Sequence, residues 1–528
     1  NQTLDPQEVL YHVSLPETAA ITGLWLGASD DRAARFAFRV APRGAAQAVY
    51  RAETVRRRDP ALAEQIGPRQ YRLRAFPIPP RTRVWDQGDG RSPRTLDGEP
   101  LHLWLTYRVL VAGGTEGSGA TWPLPRLAEK RNVFWDARSE RTVGGAPFAD
   151  PEAWLPPSLP ATAPPRRAHD VVLADGYAAR VIPEPPGRRR SLPPLHLAVV
   201  LDRSLGMEAL EAAVDEALEA ARAAADGPVD VYLTASPLRF DAPRRTTLDD
   251  LTADDRLAFG GMVSAALLEQ FAALRGDRSY DAVLVLTDEG GFAPAGHAPA
   301  VAGLGSPTWL VHLGGAFPPG YDDATQDALL ASGGGVAASV DEALARIAET
   351  RAGSVGGPPR AVLLDEGWRV LAEAPTPAGL GGDAAAVAAG DAAPAPQAGD
   401  DGLSAIAARA VVALEARRLD ATEDASRRTE VLDRLHAVAV REAVVTPFSS
   451  MIVLVEARQE RALDAAEQAA DRFEREVEAG DDVLDPTLSM TVVPEPHEYA
   501  LLALAALALA WRFVRRPQLG APHGRGAP

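Results

Sequence analysis

Carboxylate and hydroxyl side chains gather at two places where an apolar run ends. Asp202 and Ser204 follow the run 195–201, and Asp288 with Glu289 follows the run 282–287. Such oxygens accept hydrogen bonds from the free N–H groups of a following helix, so capping is one chemistry open to Asp202 and Ser204. Other constellations are missing from the sequence. The nine histidines show no H-E-x-x-H or other ligand spacing, and neither G-x-S-x-G nor a phosphate-cradling G-x-x-x-x-G-K occurs. Asp86-Gln87-Gly88-Asp89-Gly90 reads as a polar turn rather than a calcium loop. With no cysteine, thiolate zinc sites, cysteine nucleophiles and disulfide frameworks are excluded. These residue types point to a non-enzymatic protein.

The elements that would position those oxygens follow an α/β rhythm. Apolar strands are expected at 195–201, 229–235, 282–287 and 308–313, with helices over 208–225 and 263–274 and near Asp323 and Asp341. This alternation implies a doubly wound parallel sheet over 195–352, whose binding crevice lies at the strand C-terminal ends. Before it, residues 1–146 carry short alternating runs such as Arg35-Phe36-Ala37-Phe38-Arg39-Val40, separated by Gly, Pro and Asp. That pattern predicts an antiparallel β-sandwich-like domain. Residues 147–194 are rich in proline and arginine and read as a linker, and 353–402 read as a low-complexity linker in which 361–371 could add a strand or two. Helical periodicity returns over 403–492, with one strand-like run at 444–455. The fold class expected is therefore multidomain α+β and α/β, with a helical C-terminal region.

The length, 528 residues at 46% hydrophobic, is ample for several cores. A net charge of −18 argues against a nucleic-acid footprint and implies that acidic polymers are repelled. The chain begins at Asn1 with no signal peptide before the first strand-like run, which reads as a fragment or processed form of something longer. Near the end, Pro494, Glu495 and Pro496 precede an apolar run at 499–511, and Arg512, Arg515 and Arg516 follow it. A helix of this composition satisfies its own backbone in lipid. It is shorter than the roughly 20 residues of a full span, unless Arg512 snorkels to the headgroups. Acidic residues before the run and arginines after it put the C-terminus, 517–528, in the cytoplasm and the body of the chain outside. The other reading is a helix buried in a core; the basic stop argues for the membrane.

Several of these segments resemble known families. Val493-Pro494-Glu495-Pro496-His497-Glu498-Tyr499, the apolar run and Arg515-Arg516 resemble the PEP-CTERM sorting signal, 493–516, which implies exosortase as a partner and a bacterial envelope location. Tyr50 with its charged run, Asp59-Pro60-Ala61-Leu62 and Phe76-Pro77-Ile78-Pro79-Pro80 are similar to the VIT domain of inter-alpha-trypsin inhibitor heavy chains and vault proteins. Leu201 to Met207 and Leu286 to Gly290 resemble a von Willebrand factor A (VWA) domain with its metal-ion-dependent adhesion site. That resemblance implies Mg²⁺ or Mn²⁺ held by Asp202, Ser204 and Asp288, with a partner's carboxylate completing the shell. The match is incomplete: Gly206 stands where a second serine is implied, and Met262 of Gly260-Gly261-Met262 where a threonine is implied. Asp281, Glu289 or waters could compensate. Val445 to Met451 and Asp471 to Glu478 resemble the stretch that precedes the signal in integral membrane PEP-CTERM proteins with VIT and VWA modules. The resemblance implies an envelope protein that binds protein or exopolysaccharide matrix. Its alternative is a membrane-bound assembly or regulatory factor of the exosortase system with a structural VWA domain.

Overall fold

A computed structural model describes residues 1–474, apart from 2, 57–59, 85–93, 114–118, 128–139, 151–153, 163–166, 174–175, 184–191, 237–240, 289–302, 316, 319–320, 322, 355–359, 366, 374–401 and 420–424. The tail at 493–516, the loop 86–90 and Glu289 lie outside the described residues.

Eight strands form one antiparallel sheet: β1 (Gln7–Ser14), β2 (Ala20–Gly27), β3 (Phe36–Pro42), β4 (Ala61–Gln65), β5 (Gln70–Ile78), β8 (His102–Arg108), β10 (Arg126–Leu127) and β24 (Ser449–Val453). Their order is β10-β1-β5-β4-β24-β3-β2-β8. Short ladders join β6 (Thr82–Val84) to β7 (Arg94–Leu96), β9 (Thr121–Pro123) to β13 (Ser158–Pro160), and β11 (Thr142–Val143) to β12 (Ala146–Pro147). Period-two alternation divides the large sheet into faces. Leu24, Leu26, Ala61, Ala63, Met451 and Val453 point into one core. Ala41, Leu62 and Ile452 point into another, under α1 (Arg43–Val55) and α8 (Ala457–Ala466). Helix α1 interrupts a stretch whose sequence pattern predicts only strands. It starts at Pro42 with no side-chain cap. Its early N–H groups are satisfied from far away: Arg43 N donates to Phe448 O and Ala45 N to Arg472 O, each at 3.0 Å.

The central position of β24 is the main departure from the linear reading. The run near 449–453 is expected as a lone strand in a helical region, yet it pairs antiparallel with both β3 and β4. A second departure concerns the linkers. Within 147–194, β14 (His169–Val172) and β15 (Ala178–Pro183) pair with each other, and β15 pairs with β23 (Trp368–Glu373), which pairs with β22 (Arg360–Asp365). Proline dominates the average composition there, but Ala178-Ala179-Arg180-Val181 keeps the alternation that a half-buried strand needs. Helix α6 (Ser404–Leu419) covers this four-stranded sheet, burying Ile406, Ala410 and Val411 against Val181 and Val370; α7 (Ala425–Arg441) adds Val438 and Ala439 to the same core.

The third sheet holds β16 (Leu197–Leu201), β17 (Asp230–Leu233), β18 (Arg244–Thr247), β19 (Ala282–Thr287), β20 (Thr308–His312) and β21 (Gly335–Ala337), in the order β18-β17-β16-β19-β20-β21. Every pairing is parallel except that of β18, which the sequence pattern did not reveal. Strand β16 is buried on both faces. Leu197, Val199 and Leu201 pack against α2 (Glu211–Ala224) and α5 (Val340–Ser354), while Ala198 and Val200 pack against α3 (Ser264–Arg275) and α4 (Asp323–Ala331). An unbroken apolar run is what two-sided burial requires of a central parallel strand.

Candidate functional site at the carboxyl edge of the parallel sheet

Strands β16 and β19 are parallel neighbours, with Leu201 beside Leu286, so the residues that follow them emerge together. The Asp202 N–H extends the ladder by donating to Leu286 O at 3.0 Å. Asp202 is 1% exposed and Ser204 4%. Asp202 Oδ1 accepts the Ser204 N–H at 2.8 Å, and Oδ2 accepts both the Ser204 hydroxyl at 3.1 Å and the Thr287 hydroxyl at 2.8 Å. Burial pushes the Asp202 carboxyl up to about 6; the hydrogen bonds from Thr287 and Ser204 pull it down, and the charge of Asp288 adds to the rise. Ser204 occupies the N-cap position of a short 3-10 turn, Leu205–Leu210, but its hydroxyl makes no cap bond and turns back to Asp202 instead.

Asp288 explains the glycine at 206. A Cβ built on Gly206 would fall 1.7 Å from Asp288 Oδ2, so the carboxylate occupies the space a serine side chain would need. Met262 is buried among Leu267, Leu268 and Phe271 and adds to a core. The loop that carries it is tied to the site by backbone bonds: Leu205 N donates to Gly260 O, and Phe259 N to Arg203 O, both at 2.8 Å. Gly260 has a φ of +74°, which glycine adopts without strain. Arg203 is buried and donates from Nε to Thr234 O at 2.6 Å, with Asp241 3.0 Å from Nη1. The rim is apolar, with Leu205, Leu257 and Phe259 at least half exposed.

Residues that the sequence did not single out complete the surroundings. Thr287 is a hydroxyl at the end of a fully buried strand, and its place directly before Asp288 was the available signal. His312 lies beside Thr287 on β20. Its Nδ1 meets Asp288 O, and its Nε2 meets the Tyr321 hydroxyl at 2.5 Å. A carbonyl only accepts, so Nδ1 carries the proton and Nε2 accepts from Tyr321. Burial, with a smaller push from Arg69, lowers the His312 pKa to about 4, which leaves the ring neutral at pH 7. Asp281 cannot supplement the site, because it lies at the opposite end of β19, where it accepts the His196 N–H at 2.8 Å and pairs with Arg351 at 2.6 Å.

Hard cations such as Mg²⁺ and Mn²⁺ take oxygen ligands, so the donor types of Asp202, Ser204, Thr287 and Asp288 fit such an ion. Their number does not. Two carboxylates are present, one of them with its pKa pushed up to about 6 by burial, and no group of three or more His, Asp or Glu suited to a metal occurs among the described residues. No protein-family model matches the chain, and no curated protein matches it.

Proposed function

We propose that the chain is a non-enzymatic bacterial envelope protein of the PEP-CTERM type, in which VIT-like and VWA-like modules present a protein- or matrix-binding surface. The observation that carries this reading is the convergence of Asp202, Ser204, Thr287 and Asp288 at the carboxyl edge of a parallel sheet. The Ser204 hydroxyl donates to the buried Asp202 carboxylate, and both nitrogens of His312 are engaged, by Asp288 O and the Tyr321 hydroxyl. Any cation at the cluster would be held by Asp202, Ser204 and Asp288 and would bind weakly. The second reading, a membrane-bound assembly factor with a structural VWA-like module, draws support from the buried ion pairs that join α5 to the antiparallel sheet.

Anchoring follows from Pro494, Glu495, Pro496, Arg515, Arg516 and the apolar run between them. Among the described residues no helix is long and apolar enough to cross a membrane. Deleting 494–516 is expected to move the protein from the membrane pellet to the soluble fraction. A shift in mobility that depends on a co-expressed exosortase would identify processing; a deleted chain that stays in the pellet would overturn the anchor.

A further inference from the structure

The outer face of the eight-stranded sheet is covered unevenly. Helices α1 and α8 lie over β3, β24 and β4, and α6 reaches Ala20 at the start of β2. Leu24 and Leu26 on β2, with Leu103 and Leu105 on β8, face the opposite core, so the residues between them point outward. In register these are Gly23 opposite Thr106, Trp25 opposite Trp104, and Gly27 opposite His102. Neither indole belongs to any of the buried cores.

Both rings lie flat, and the glycines are the reason. A Cβ on Gly23 would fall 2.1 Å from Trp25 Cη2, and one on Gly27 would fall 3.1 Å from Trp104 Cζ3. Each indole therefore rests on a backbone that has no side chain in the way. The Arg35 guanidinium stands 4.2 Å from the Trp25 ring centre, and the His102 ring stacks beside Trp104 at 5.9 Å with planes 22° apart. The hydroxyls of Thr22 and Thr106 meet at 3.3 Å near Gly23. Among the described residues Arg35 forms no ion pair, although Asp30 and Asp31 stand on the same hairpin. From Gly23 to Gly27 the strip runs about 13 Å at roughly 3.3 Å per residue, the length of a short oligosaccharide.

We propose that this strip is a polysaccharide-binding platform selective for chains that carry uronate groups. A pyranose presents a flat patch of C–H bonds, which the electron-rich face of an indole attracts, and a rim of hydroxyls that needs donors and acceptors. Trp104 supplies the face, and Arg35, held over Trp25, offers planar paired N–H groups to a carboxylate of the adjoining sugar. The chain's net charge of −18 opposes polyanions at long range. At physiological salt, charges farther than about 8 Å are largely screened, whereas Arg35 would touch the ligand. Contact therefore outweighs distance. The inference is independent of the Asp202 cluster, so failure of either leaves the other standing.

The test uses the full chain in detergent, with a short polymannuronate and a neutral cello-oligosaccharide as probes, followed by calorimetry and tryptophan fluorescence. Polymannuronate is expected to bind more tightly than the neutral sugar. Trp104→Ala should weaken both by about tenfold or more, the effect of losing one aromatic stacking contact on a flat ligand. Arg35→Gln, at a partly exposed residue outside the cores, should remove the preference for uronate, so that the two probes bind with similar affinity. Trp104→Phe should restore part of the affinity, which separates a stacking role from a folding defect. Binding of neither probe, or binding indifferent to both Trp104→Ala and Arg35→Gln, overturns the proposal. So does a Trp104→Ala chain that changes its sedimentation while keeping its glycan affinity, because the strip would then be a contact between copies.

Discussion

Burial works against the charge of Asp202, and the consequence can be measured. Its carboxyl rises from an ordinary 3.8 to about 6, and at 1.36 kcal/mol per unit the ionised form costs the fold about 3 kcal/mol. The sign follows from linkage: a raised carboxyl contributes stability below the unfolded value, and that contribution is lost as pH rises through about 6. Asp202→Asn, which keeps the shape and can still accept the Ser204 N–H, is therefore expected to raise the melting midpoint at pH 7.5 and to do little below pH 4. Millimolar Mg²⁺ should close the gap only if the cation binds, since it would favour the ionised carboxylate of the parent. A lower midpoint for the asparagine chain at pH 7.5 without metal would refute the account. Asp202, Ser204 and Asp288 were legible because an apolar strand announces where it ends. Thr287 was readable in hindsight, as a polar residue closing a buried strand. His312 and Tyr321 were not, because a histidine that closes an apolar strand gives no hint that its ring will face the carbonyl of Asp288.

Secondary structure shows the same limit at a larger scale. Strands Leu197–Leu201 and Ala282–Thr287 stood out as apolar runs between helical segments, and helix Ser264–Arg275 as an alanine- and leucine-rich stretch between two such runs. Strand Ser449–Val453 was visible as a strand, but its partners, Phe38 to Pro42 and Ala61 to Ala63, lie some four hundred positions earlier, and no local pattern encodes that pairing. Helix α1 was missed for a related reason. Its cap is the backbone of Phe448 and Arg472, and Gly44 is glycine because a Cβ there would fall 2.3 Å from Glu474 O. The antiparallel sheet thus depends on its last strand. A fragment of 1–146 would leave β3 and β4 with unpaired edges in mid-sheet and uncover Leu62 and Val49, which α8 and β24 otherwise help to bury. Such a fragment is expected to aggregate and to show no cooperative melting by circular dichroism. A sharp thermal transition from the isolated fragment would show that β24 is dispensable.

The antiparallel and parallel sheets are joined by buried charge, a juncture that no spacing in the sequence foretells. Glu17 and Arg69 come from turns of the first sheet, between β1 and β2 and between β4 and β5, Glu342 and Arg346 from helix α5, and all four side chains are less than 15% exposed. Arg69 lies 3.3 Å from Glu17 and 2.5 Å from Glu342; Arg346 lies 2.5 Å from Glu342 and also pairs with Glu17. Within these four side chains two acids face two guanidiniums. Helix α6 joins at the same place, where Arg409 donates to Glu17 O at 2.8 Å. The turn after β4 meets the parallel sheet too, with Gln326 donating to Ile66 O at 3.2 Å. A Cβ on Gly67 in that turn would fall 3.3 Å from the ring of Tyr321, the residue that hydrogen-bonds His312. Removing one acid leaves positive charge buried without its counterpart, and breaking a buried pair in this way typically costs about 3–5 kcal/mol. Glu17→Ala is therefore expected to lower the melting midpoint sharply. Adding Arg346→Met to it should recover much of the loss, because the unpaired charge goes with the arginine. Differential scanning calorimetry on the single and double variants checks this. If the two losses simply add, Glu17 and Arg346 act independently and their charge pairing does not account for the junction.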